Sequence, residues 1–170
     1  MDTAPQPSRL FLALWPDAAV RDSLRAWRDA WTWPRGASPV QADKLHVTLH
    51  FLGDVAGEQI PELMAGFAVP FSPFALRFEH GALWHKGIAV LEPAATPNGL
   101  LALHAELSHA LVGLGLQPEA RAYRPHVTMA RRAGGVAVPA DGPVVDWWVD
   151  RYVLVESRGG VYTVIKSYGA

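Results

Sequence analysis

His46-Val47-Thr48-Leu49 and His126-Val127-Thr128-Met129 repeat one pattern at two points eighty residues apart in a chain of 170, and only seven histidines are present to carry it. On an extended strand, residues i and i+2 point the same way about 6.6 Å apart, so imidazole and hydroxyl converge on one small group while the valine between them anchors the other face. One copy makes half a site. Two copies facing each other across a cleft put an imidazole on each side of a phosphorus atom, with two hydroxyls aimed at its non-bridging oxygens. In-line displacement at a phosphoester needs that layout. One neutral imidazole takes a proton from the nucleophile, a charged one gives a proton to the leaving oxygen, and imidazole titrates near neutrality.

The elements that must position these residues follow from periodicity. Leu45 to Leu52 alternates, with Leu45, Val47, Leu49 and Phe51 on one face and His46, Thr48 and His50 on the other, which predicts a half-buried strand. His126 to Ala130 repeats the pattern after Pro125. Arg9 to Trp15 reads as a strand, followed by a helix carrying Val20, Leu24, Trp27 and Trp31. Helices are predicted over 58–67 and over 98–114, the latter on Leu101, Ala105, Leu107, Leu111 and Leu114. Strands are predicted over 74–83, 87–91, 146–156 and 161–168, the last two joined by a hairpin turn at Ser157-Arg158-Gly159-Gly160. Interleaved helices and short-turn strands indicate an α+β chain with mainly antiparallel pairing, and the echo of helix, loop and His-Val-Thr predicts two related lobes. Residues 1–8 are expected to be a flexible leader, and 9–170 a single domain.

Half of the residues are hydrophobic and 18% are charged, enough apolar material to offset the entropy of ordering. The formal net charge of -1 argues against a global electrostatic grip on long nucleic acid, so phosphate recognition must be local. The absence of cysteine removes disulfides, thiolate metal sites and cysteine nucleophiles. The apolar run Leu10 to Trp15 is too short to span a bilayer and lacks the pattern of a signal peptide, so a soluble, cytoplasmic monomer with no membrane partner is expected.

Other residues are weighed against these. His50 shares a predicted face with His46, but about 13 Å apart on a strand they cannot chelate together, and His80, His85, His104 and His109 read as surface or packing residues, so no metal is expected. The tryptophans read mainly as core, with Trp15 at the end of the first strand a candidate base-stacking platform. Arg121, Arg124, Arg131 and Arg132 make a positive rim near the second motif. Arg131, five residues after His126, falls on the wrong face of a flat strand. A bulge or the strand's end must re-aim it for it to meet the phosphate, and plain solvent exposure of Arg131, or Arg132 in its place, are the alternatives.

The paired tetrapeptides resemble those of the 2H phosphoesterase superfamily. With Arg9 to Leu14, His50-Phe51-Leu52-Gly53, Tyr123-Arg124-Pro125, Arg131 and Val155-Glu156-Ser157, the chain is similar over nearly all its length to bacterial RNA 2′,3′-cyclic phosphodiesterases, historically called 2′-5′ RNA ligases. The resemblance implies a bilobal α+β fold, two mainly antiparallel sheets with helices outside, pseudo-twofold symmetric about a central cleft. It implies hydrolysis of terminal 2′,3′-cyclic phosphates on RNA or oligonucleotides to 2′-phosphomonoesters, with no cofactor or catalytic metal. In that pattern His46 corresponds to the proton donor to the leaving 3′ oxygen, His126 to the acceptor that activates water, and Thr48 and Thr128 to the phosphate-holding hydroxyls. The segment after Ser157 is shorter than in many relatives, which leaves Tyr162 without an assigned role. Joining RNA halves through a 2′-5′ linkage, or binding nucleotides without catalysis, are the alternative activities.

Overall fold

A computed structural model of the protein describes residues 8–169. Among these, strands and helices follow in the order β1 (Ser8–Leu14), α1 (Ala18–Ala30), β2 (Ser38–Pro39), β3 (Val47–Val55), α2 (Ile60–Gly66), β4 (Phe74–Trp84), β5 (Ile88–Pro93), α3 (Asn98–Gly113), β6 (Val127–Arg131), β7 (Val145–Val149), β8 (Arg151–Arg158) and β9 (Val161–Gly169). The α+β class stands. Of the expected leader, residues 1–7 lie outside the described residues, and Ser8 is corrected to the first residue of β1. Its hydroxyl is buried, donating to Glu156 Oε2 at 2.6 Å and accepting from Arg158 Nη2 at 3.0 Å.

Every strand pair is antiparallel, in the order β7-β4-β5-β6-β3-β1-β8-β9, with the short β2 on β6. The two expected sheets are the two four-strand halves of this one curled sheet. They meet at a single residue pair, Val47 with Val127. Each of these valines follows its motif histidine, so the pair marks a local twofold axis. Antiparallel pairing about it sets His46 opposite Thr128 and Thr48 opposite His126, with all four on the face away from the buried valines.

The helices cover the other side. α1 starts where the Asp17 carboxylate accepts from the Val20 amide at 2.9 Å, and it buries Val20, Leu24 and Trp27. α3 packs near β3 through Leu100, Leu103, Leu107 and Leu111, whereas Leu101 is 47% exposed. Its apolar residues run nearly all round, so spacing finds Leu107 and Leu111 but also picks the exposed Leu101 and Ala105 in place of Leu100 and Leu103. The strand expected over 146–156 is two strands broken at Asp150, β7 on β4 in one half and β8 on β1 in the other. The hairpin turn between β8 and β9 forms as expected, with Gly159 and Gly160 at φ of 57° and 79°. No described helix is long and apolar enough to cross a membrane.

Candidate active site

One structural device acts on both motif strands. In β3, Leu12 of β1 pairs with His50 and Ala13 pairs with Thr48, so Leu49 is an extra residue. In β6, Val90 of β5 pairs with Thr128 and Ala89 with Ala130, so Met129 is the extra residue. A bulge at the same motif position in each strand reverses the parity of the residues that follow it, in β3 until a second shift at Leu52. Residues 49 and 50, and likewise 129 and 130, are therefore buried in succession, and Phe51 and Arg131 emerge on the cleft face. Arg131 thus reaches the site by the bulge its spacing required. Arg132 takes a left-handed backbone with φ of 55° and lies outside the cleft lining. The expected placement of His50 on the face of His46 is corrected for the same reason: His50 is 4% exposed and turned toward α3.

The two imidazoles are held alike. His46 Nδ1–H donates to the Lys44 carbonyl at 2.6 Å, and His126 Nδ1–H donates to the Arg124 carbonyl at 2.9 Å. A carbonyl can only accept, so each bond fixes the proton on Nδ1 and leaves Nε2 as the basic nitrogen. The Thr48 hydroxyl donates to His46 Nε2 at 2.9 Å, whereas His126 Nε2 has no protein partner among the described residues.

His46 sits in an aromatic cage: Phe11 at 5.0 Å between ring centroids, Trp15 stacked at 5.5 Å and Tyr162 edge-on at 5.8 Å. Trp15 thus packs one face on the histidine and is not among the residues that line the cleft. Burial in this cage pushes His46 down to about 4, with smaller contributions from the nearby His126 and Arg131. His126 packs against Trp84 at 4.4 Å, and Trp84 is fixed by its Nε1–H donating to Glu92 at 2.5 Å and by Arg124 lying 4.0 Å over its ring. Burial also lowers His126, helped by Arg124 and Arg131 and opposed by Glu92. Both rings are therefore neutral at pH 7 before an anion binds.

The cleft has a volume of about 540 Å³ and brings together His46, Thr48, His126, Thr128 and Arg131, with Phe11, Phe51 and Tyr162 as aromatic walls. Among the described residues its lining includes Arg9, Lys44 and Arg131 but no carboxylate, a concentrated positive surface in a chain of net charge -1. Arg9 is partly offset by Asp54 at 3.7 Å, and Lys44 lies 5.2 Å over the Tyr162 ring while binding the Gly160 carbonyl. Arg121 and Arg124 are engaged elsewhere, with Glu119 and Glu92. Sequence reading missed Phe51, 59% exposed in the cleft, because alternation puts it on the apolar face. The one available signal was an aromatic at the motif position that is arginine in the second copy.

A family model described as LigT like Phosphoesterase matches residues 14–89 and 91–161, nearly the whole described chain. The chain belongs to the LigT-like phosphoesterase family. Among curated members of this family, the RNA 2′,3′-cyclic phosphodiesterase of Escherichia coli is 32% identical over 171 residues, covering 96% of this chain and 97% of that one. The protein of the same name from Thermus thermophilus is 32% identical over 179 residues, covering 94% and 89%. The crystal structure of E. coli LigT complexed with 3′-AMP superposes with a TM-score of 0.87 at 29% identity, covering 96% of this chain and 98% of that one. Further structures of that LigT-family protein hold NADP+ and phosphate.

Proposed function

We infer that the protein hydrolyses 2′,3′-cyclic phosphates at RNA or oligonucleotide ends to 2′-phosphomonoesters, with His126 as base and His46 as acid. The observation that carries this reading is the meeting of the two motifs at Val47 and Val127, which brings two imidazoles and two threonine hydroxyls into one cleft with Arg9, Lys44 and Arg131 and, among the described residues, no carboxylate. His126, neutral and with Nε2 unengaged, takes a proton from water as the water oxygen bonds to phosphorus. The bond from phosphorus to the 3′ oxygen breaks, and His46 gives that oxygen a proton, leaving the phosphate on the 2′ oxygen. Thr48, Thr128 and Arg131 hold the non-bridging oxygens as charge builds on them. Side chains supply each of these roles. Turnover of a 2′,3′-cyclic-ended oligoribonucleotide to the 2′-monoester is therefore expected to persist in excess chelator. Chelator-sensitive turnover, or a 3′-monoester product, would contradict the reading.

The low proton affinity of His46 has a consequence for binding. An anion placed between the imidazoles favours their charged forms, so His46 gains its catalytic proton when the anion arrives. Between about 4, where free His46 titrates, and the higher value reached with the anion bound, binding must take up protons. Affinity should then fall as pH rises through that window. Calorimetry with sulfate, which does not itself titrate there, is expected to show proton uptake at about pH 5, just above the free His46 value, in buffers of different ionisation heat. A heat independent of buffer contradicts this.

Phe51 offers the exposed aromatic face that a terminal base needs. Base stacking on an aromatic side chain contributes about 1–3 kcal/mol. Phe51→Ala should raise KM for 2′,3′-cyclic nucleotides roughly tenfold at nearly constant kcat, because stacking acts equally on ground and transition states. Steady-state kinetics read this directly, and an unchanged KM would place the base elsewhere.

A further inference from the structure

Tyr123 lies outside the cleft lining, yet it joins the first motif to the loop that carries the second. Its hydroxyl donates to the main-chain carbonyl of Thr48 at 2.8 Å. The next residue, Arg124, supplies the carbonyl that fixes His126. Adjacent residues of one loop therefore hold a group in each half of the site.

The two motif strands need this support unequally. Beyond the Val47–Val127 pair, β6 is flanked by β2, and the Val40 amide donates to the Met129 carbonyl at 2.8 Å. β3 has no such strand on that flank among the described residues, and its bulge at Leu49 begins directly after Thr48. The phenol bonds the carbonyl at that point. The Tyr123 ring is itself clamped, stacked on His104 at 4.0 Å and 13° between planes, and His104 is stacked on His50 at 4.0 Å and 20°. His50 Nε2–H closes the stack by donating to the His104 carbonyl at 3.0 Å. Burial pushes His50 down, and His104 down to about 4, so the stack carries no charge near neutrality. Burial pushes the phenol up, so it remains a donor.

We propose that Tyr123 is a positioning residue for catalysis: through the Thr48 carbonyl it fixes the bulge of β3, and with it the Thr48 hydroxyl that meets His46 Nε2 and the phosphate. The proposal rests on the phosphodiesterase reading of the cleft for its kinetic consequences only.

Tyr123→Phe keeps the ring stack and removes the one bond. Because small misplacements at a reacting centre cost up to roughly 10²-fold in rate, kcat on a 2′,3′-cyclic-ended oligoribonucleotide should fall about tenfold or more, with KM little changed. In a Thr48→Ala background the same substitution should cost less than about twofold, since both changes act through one hydroxyl. The ¹⁵N resonance of His46 Nε2, read without substrate, should move in Tyr123→Phe in the same direction as in Thr48→Ala. A loss that adds in full to that of Thr48→Ala, or an unmoved His46 resonance, overturns the proposal. Absence of turnover in the unmodified protein would instead overturn the activity, while the resonance would still decide the role of Tyr123.

Discussion

Replacing either motif histidine is expected to lower kcat for 2′,3′-cyclic phosphate hydrolysis by roughly 10²–10⁴-fold, the range lost when a positioned general acid or base is removed. His126→Ala is the cleaner variant, because among the described residues its Nε2 has no protein partner and its ring has one aromatic neighbour, Trp84. His46 fills a cage of Phe11, Trp15 and Tyr162, so His46→Asn preserves more of the packing than alanine does. The double variant should be little worse than the more damaged single one, since an acid and a base serving one displacement act as a unit. Steady-state kinetics, with thermal unfolding to confirm that each variant folds, check this. Substantial activity in either single variant would remove that imidazole from the chemistry.

The second large effect is expected at Arg131. It lines the cleft, and its charge lowers the proton affinity of both histidines, so it lies close to the place where the phosphate gains negative charge. Removing one preorganised donor to a developing oxyanion costs about 10²–10³-fold in kcat, and Arg131→Met should fall in that range. Arg131→Lys should recover only part, because an ammonium supplies a point charge without the planar two-donor edge. The pH profile separates this role from simple packing. Loss of the guanidinium relieves a repulsion on both imidazoles, so both limbs of the rate profile should shift to higher pH in Arg131→Met. Arg132→Met should leave rate and profile near those of the unmodified protein, because Arg132 lies outside the cleft lining. An equal loss at both arginines would show that only general positive charge matters.

The two histidine–threonine pairs that line the cleft were legible because their information is local. Residues i and i+2 of an extended strand share a face whatever the rest of the chain does, so His46 with Thr48 and His126 with Thr128 follow from spacing. Their meeting across one antiparallel pair was visible only as the repeat itself. A bulge was expected only as one of two ways to re-aim Arg131, and its place at Leu49 and Met129 was not legible, since an extra residue is defined by the partner strand and leaves no mark on the alternation of its own strand. Without that placement His50 falls on the cleft face, Phe51 on the apolar face, and Arg131 stays open against Arg132. The break at Asp150 escaped for a related reason: its one local mark is the charged pair Asp150-Arg151, and that β7 and β8 pair in different halves is set by their partner strands. Trp15 was legible as an aromatic at the end of β1, but that its ring packs on His46 depends on a contact 31 residues along the chain.

A crystal structure of the protein with bound inorganic phosphate reads the shared geometry of the two motifs without relying on turnover. One phosphate is expected, with oxygens within about 2.6–3.2 Å of both His46 Nε2 and His126 Nε2 and of the Thr48 and Thr128 hydroxyls. A phosphate held by one imidazole alone, or two phosphates at separate positions, would contradict a single two-histidine centre.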